Sequence, residues 1–185
     1  GLGLLTESQH RVRGSTRTLL AIVNMISVSG VGFALGITLS SSMYFAGDFS
    51  FQNNFSASTY DVEVGCYVSA FMNQFFGMST ISWSFMVAVY LFLTIYYSQH
   101  GGMTHEGRRC FLVCAHCYVW LLALVTCLVP YLMADVGYSV EATCWLRGWS
   151  VFAFFVPLYT YQLGAFSILV YTALVLRVFV QRTRP

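Results

Sequence analysis

Four stretches of this 185-residue chain carry no charged side chain, and each is long enough to cross a bilayer. They cover roughly residues 18–47, 66–97, 110–134 and 148–176. About 20 apolar residues in a helix match a hydrocarbon core of about 30 Å. Helices in globular proteins average only three or four turns. Charged residues make up 9% of the chain and hydrophobic ones 57%, where a soluble domain carries about 25% charge. The reading is an all-α membrane protein with four transmembrane helices; a soluble all-helical bundle is the lesser alternative.

The charges give the topology. All nine cations are arginine. Arg11, Arg13 and Arg17 precede the first span, Arg108 and Arg109 lie between the second and third, and Arg177, Arg182 and Arg184 follow the fourth. Four crossings put those three regions on one side, with Arg147 alone on the other. Arginine and lysine concentrate in cytoplasmic loops. Residues 1–17, 98–109 and 177–185 are therefore expected in the cytoplasm, and residues 48–65 and 135–147 outside. The acids Asp48, Asp61, Glu63, Asp135 and Glu141 follow the reverse trend. A multi-pass protein of the cell membrane is the expectation, in contact with lipid. The net charge of +2 gives no reason to propose a nucleic-acid partner. No signal-peptide pattern is visible. The opening Gly1 and the close in QRTRP, just after a span, lead to the expectation of a piece of a longer protein.

Inside the spans, small and polar residues mark the faces that meet protein. Gly32 and Gly36 sit four apart, a spacing that lets helices approach closely in lipid. Asn73, Gly77, Thr80 and Ser84 recur at steps of four, three and four, which aligns them on one helical face. An unpaired amide in hydrocarbon is costly, so this face is expected to point inward. Trp120 is a further packing residue. Pro157 lies inside the fourth span and removes a backbone hydrogen bond there. In the first outer loop, Asn54-Phe55-Ser56 has the N-glycosylation acceptor pattern.

Six cysteines divide by side. Cys66 and Cys144 belong to the outer face, where oxidising surroundings make their disulfide the natural pairing. The segment CFLVCAHC, from Cys110 to Cys117, has the look of a metal site but lies at the cytoplasmic end of the third span. A structural zinc needs four ligands, and His116 points away from Cys117 on a helix. The stripe Cys110, Cys114, Cys117 is read instead as small residues packing on neighbouring helices, together with Cys127. Cys110, near the membrane interface, also suits an acylation site. No metal and no cofactor is expected. Spans without an acid and with a single histidine argue against an enzyme or a pump.

The order of these features carries a resemblance. Cys66 opens a long span rich in polar residues, Trp120 sits in the next, and Cys144 precedes a span bearing Pro157. This arrangement resembles helices three, four and five of a G-protein-coupled receptor, with the preceding span as helix two. The likeness covers residues 15–180. Among receptor classes the chain looks most similar to the cyclic-AMP-receptor-like group. The residues are Val89-Tyr90-Leu91-Phe92-Leu93, His116-x-x-x-Trp120, and Gly137-Tyr138 followed by Cys144-Trp145. It departs from the rhodopsin-like pattern, with Tyr90-Leu91-Phe92 where Asp-Arg-Tyr is usual. It departs from its own group too: Leu121, Leu122 and Ala123 replace the Gly-x-Pro that follows the Trp, and Ser29 or Gly30 stands near the usual acid of helix two.

The resemblance implies part of a seven-helix receptor bundle with a Cys66–Cys144 disulfide. It implies a heterotrimeric G protein as cytoplasmic partner, an extracellular ligand, and signalling by a ligand-biased shift between bundle states. Candidate ligand contacts are Asn73, Gln74, Arg147, Trp149, Tyr159 and Gln162. The loop with Arg108 and Arg109 suits a G protein or anionic lipid headgroups. The alternative is a complete four-span structural or adhesion protein. Tetraspanins carry a Cys-Cys-Gly in a large second outer loop, and claudins carry paired cysteines in the first. Neither feature is present.

Overall fold

The computed structural model describes residues 2–51, 64–98, 102–132, 136–138, 144–146 and 151–183. Four helices dominate: α1 (Leu2–Phe51), α2 (Val64–Ser98), α3 (His105–Leu132) and α4 (Phe152–Thr183). Between α3 and α4 come two short strands, β1 (Val136–Tyr138) and β2 (Cys144–Leu146). They pair antiparallel, with Gly137 opposite Trp145 and Tyr138 opposite Cys144. Each of the four helices contains a segment long and apolar enough to cross a membrane: Gly14–Ser42, Tyr67–Ser98, His105–Leu132 and Phe154–Arg177. The protein is an all-α membrane protein in architecture.

Helix ends differ from expectation for local reasons. The lead-in 1–17 does not form a separate segment, because α1 already runs from Leu2. No proline interrupts the chain before Pro130, and Leu, Gln and Arg favour helix. Helix α3 starts at His105, ahead of the expected 110, because Thr104 caps it: the Gly107 N–H donates to Thr104 Oγ1 at 3.1 Å. Glu106 adds a favourable charge in the first turn. Just before, Gly102 takes a φ of 87° and its N–H donates to the Tyr97 carbonyl at 2.7 Å, a backbone conformation that glycine adopts without strain. Helix α3 also continues past Pro130 to Leu132. Helix α4 begins only at Phe152, so Pro157 lies in its second turn and not deep inside it. The strand pair between α3 and α4 was not foreseen; three-residue strands carry too short a pattern to read.

The chain divides into two compact units. One, here the hairpin unit, comprises Ser27–Thr80 and Trp120–Pro157; the other, the arginine unit, comprises Gly1–Ile26, Ile81–Val119 and Leu158–Pro185.

In the hairpin unit α1 buries Ser29, Gly32, Gly36 and Ser40, while Val28, Val31, Leu35 and Ile37 are exposed. This inverts the pattern of a water-soluble helix. Small residues face protein and large apolar ones face outward, as packing in lipid requires. Gly32 lies against the Phe76 ring. A Cβ on Gly36 would sit 2.9 Å from Met72 Cβ and 3.1 Å from the Asn73 backbone nitrogen, beside the Asn73 side-chain oxygen. A Cβ on Gly30 would meet no other part of the protein within 4 Å. The two glycines therefore predict opposite outcomes. Gly36→Ala is expected to destabilise by about 1–3 kcal/mol through overpacking. Gly30→Ala is expected to be neutral or to stabilise by up to about 1 kcal/mol through helix propensity. Thermal melts of the two variants in detergent check the contrast, and equal shifts would contradict it.

In the arginine unit the core is Ile22, Trp83, Tyr90, Ala115 and Val119, flanked by Leu19, Met86 and Phe111. Arg108 is buried here, unlike Arg109. Its Nη1 donates to the Met103 carbonyl at 2.8 Å, and its guanidinium lies against Gly14.

Candidate functional site

The hairpin unit gathers polar side chains of α1 and α2 around strand β2. Cys144 is fully buried and disulfide-bonded. Its N–H donates to Ser40 Oγ of α1 at 2.5 Å, and its carbonyl accepts Asn73 Nδ2 of α2 at 3.4 Å. The next residue, Trp145, donates its indole N–H to Gln74 Oε1 at 3.1 Å. The Trp145 ring stands edge-on to Phe154 of α4 with centroids 5.0 Å apart. Leu146 is buried behind it. A three-residue strand is thus held by one covalent bond, three hydrogen bonds and an aromatic contact.

Gln74 has a second partner, and a proline creates it. Pro130 lacks the N–H that would bond the carbonyl four residues earlier, so the Thr126 carbonyl loses its helical donor. Gln74 Nε2 donates to that carbonyl at 3.4 Å. One amide group therefore links α2, α3 and β2. Further side chains of α3 reach carbonyls of α2: Tyr131 Oη donates to Tyr67, and Cys127 Sγ approaches the Phe71 oxygen at 3.8 Å. Trp120 stacks on Phe75 with centroids 5.6 Å apart. Asn73 is left with a buried Oδ1 that has no hydrogen-bond partner.

The expected ligand contacts separate. Asn73 and Gln74 come together beneath β2, both almost wholly buried. Tyr159 and Gln162 belong to the arginine unit, where both are exposed on α4. Arg147, Trp149 and Asn54 lie outside the described residues, as does the Cys66 side chain. The expected seam on α2 holds for Asn73 and Gly77, which are buried; Thr80 is half-buried and Ser84 exposed. Burial on α2 also takes in Ser69, Ala70, Gln74, Met78, Ser79, Ser82 and Trp83. In its spanning segment α2 is 39% buried and α4 only 6%, so α2 is enclosed on several sides and no single stripe describes it.

The cysteine stripe on α3 also needs correction. Cys110, Cys114 and Cys117 are exposed, not packed on neighbouring helices. The packing face of α3 runs through Ala115, Val119, Ala123, Cys127 and Pro130 instead. His116 turns to Trp83, with ring centroids 4.8 Å apart and the rings edge to face. Among the described residues no group of three or more His, Cys, Asp or Glu is arranged to hold a metal ion.

Sequence reasoning missed Ser40, Thr126, Trp145 and Phe154 as parts of this site. Pro130 was the available signal for Thr126, since a proline inside a span announces an unpaired carbonyl. Ser40 gave none beyond its place at the end of the small-residue stripe.

In the arginine unit, Tyr90 of α2 is almost fully buried. Its hydroxyl donates to the Ser15 carbonyl at 3.3 Å and pairs with Ser15 Oγ at 3.1 Å. Its ring contacts Phe111 of α3 with centroids 5.4 Å apart. Tyr90 thus ties α1 to α2 and α3 close to the arginines.

No protein-family model matches this chain, and no curated protein matches it.

Proposed function

We propose that these four helices are helices two to five of a seven-helix, G-protein-coupled receptor resembling the cyclic-AMP-receptor-like group, with Cys66 as the disulfide partner of Cys144. The observation that carries the reading is strand β2: a disulfide-bonded cysteine in the loop before a proline-bearing helix, seated on the polar residues of the most enclosed helix. Two further features support it. Eight of the nine arginines fall within the segments of one unit, and five of the seven acids within those of the other, the asymmetry expected when one end faces the cytoplasm. Helix α4 exposes Phe155, Val156, Tyr159, Leu163, Phe166 and Leu174, a face suited to further helices or to lipid.

In this reading an extracellular ligand acts on the region of Asn73, Gln74 and Trp145, and the G protein binds at the arginine-bearing end. Arg17, Arg109 and Arg177 are exposed cations there; Arg108 is committed to the interior. Tyr90 holds α1 and α2 together in the resting state. Its two bonds to Ser15 set an expected result. A hydrogen bond contributes about 0.5–1.5 kcal/mol net, so Tyr90→Phe should raise basal guanine-nucleotide exchange roughly 2- to 10-fold. The measurement uses membranes from cells expressing the natural gene product, reconstituted with a panel of heterotrimeric G proteins. Exchange at the level of mock membranes for every G protein, from both the wild type and Tyr90→Phe, would sink the receptor reading and favour a four-span structural or adhesion protein.

A further inference from the structure

Three free thiols project from one exposed face of α3, and they are the feature of this helix that packing does not use. Cys110, Cys114 and Cys117 are four and three residues apart and so share a face. Cys110 Sγ lies 4.0 Å from Cys114 Sγ. One turn before Cys110, Glu106 is exposed on this side; from Cys110 onward the exposed residues that share the stripe are apolar: Val113, Leu121, Leu124 and Leu128. Burial does not shield these sulfurs, unlike that of Cys127, and no disulfide occupies them, unlike that of Cys144. Depth separates the three. In the orientation proposed above, the exposed Arg109 just before Cys110 favours a place for Cys110 at the level of the lipid headgroups. Cys114 and Cys117 lie about 6 Å and about 10 Å further along the helix, in the apolar layer.

We propose that Cys110 is an S-acylation site, taking a long-chain fatty acyl group from a coenzyme A thioester. The inference rests on the orientation proposed above, in which this end of α3 meets the cytoplasm. The Cys110 sulfur attacks the acyl carbonyl. A new carbon–sulfur bond forms as the donor's carbon–sulfur bond breaks, and coenzyme A leaves as its thiol with the proton that Cys110 gives up. No oxidant or reductant is needed. The attached chain then runs along the exposed face over Cys114, Cys117 and Leu121, an apolar strip with no polar atom to desolvate apart from the thiols.

The test blocks free thiols in lysates of expressing cells, releases thioesters with hydroxylamine, and attaches a mass label to each thiol set free. One hydroxylamine-dependent label is expected in the wild type and in Cys114→Ser, and none in Cys110→Ser. A label retained in Cys110→Ser overturns the assignment to this residue. Orientation is read in parallel with a membrane-impermeant maleimide. No label in the wild type, with a Cys110 thiol reached only after permeabilisation, overturns acylation and leaves the orientation standing. A Cys110 thiol that reacts on intact cells overturns the orientation, and acylation with it.

Discussion

Cys144→Ser is expected to lower the stability of the protein by about 2–5 kcal/mol, the usual cost of losing a native disulfide. The effect belongs at the upper end, because the cysteine does more than cross-link. Its backbone N–H and carbonyl bond Ser40 and Asn73, on two different helices. Without the disulfide, strand β2 is held less firmly, and if it leaves, the buried Asn73 amide loses the acceptor it has among the described residues. The check is a thermal melt in detergent with and without reductant. Wild type should lose most of its melting temperature advantage on reduction, and Cys144→Ser should not respond. A variant that melts with the wild type would show that the strand is anchored by its other contacts alone. Mass spectrometry of the unreduced protein should recover the Cys66 and Cys144 peptides joined.

The second large effect is at Gln74. Gln74→Leu keeps the volume and removes both bonds of the amide. The Trp145 indole N–H and the Thr126 carbonyl are then left without their partners. Hydrogen bonds between membrane helices contribute only about 0.6–1.7 kcal/mol when measured as pair couplings. Stranding a buried donor or acceptor costs about 1–3 kcal/mol, and here two are stranded at once, so the penalty term decides. A loss of about 2–4 kcal/mol is expected. Trp145→Phe removes the indole donor, so the double variant Gln74→Leu/Trp145→Phe should cost less than the sum of the singles by roughly 1 kcal/mol. Strict additivity would mean that the two side chains do not depend on each other.

The four spans were legible because they are written in whole segments. Charge-free runs of this length have one good solvent, and arginines cluster by loop. The small-residue stripe at Gly32 and Gly36 was equally readable, since only close helix contact explains it. What escaped was written in single residues or in local geometry. The lead-in 1–17 looked like a polar tail, but polar helix formers without a proline extend α1 as readily as they dissolve it. The stripe of cysteines had helical spacing, and spacing alone cannot say which face of a helix meets protein; alanines and a valine took that face of α3. Arg108 and Arg109 read as equivalent neighbours, yet successive residues on a helix point about 100° apart, so one is buried and the other exposed. Asn73 was legible as a costly amide needing a partner, and Gln74 was read only as a candidate ligand contact. The identity of their partners was not legible, because these come from a strand 71 residues away and from a carbonyl released by Pro130.

That released carbonyl has a mechanical corollary. A single amide fastens both the proline turn of α3 and the indole of strand β2, and it cannot swivel toward a newcomer without letting go of both. Whatever pulls on the tryptophan therefore slackens the proline turn in the same instant, so the two movements are geared rather than merely adjacent.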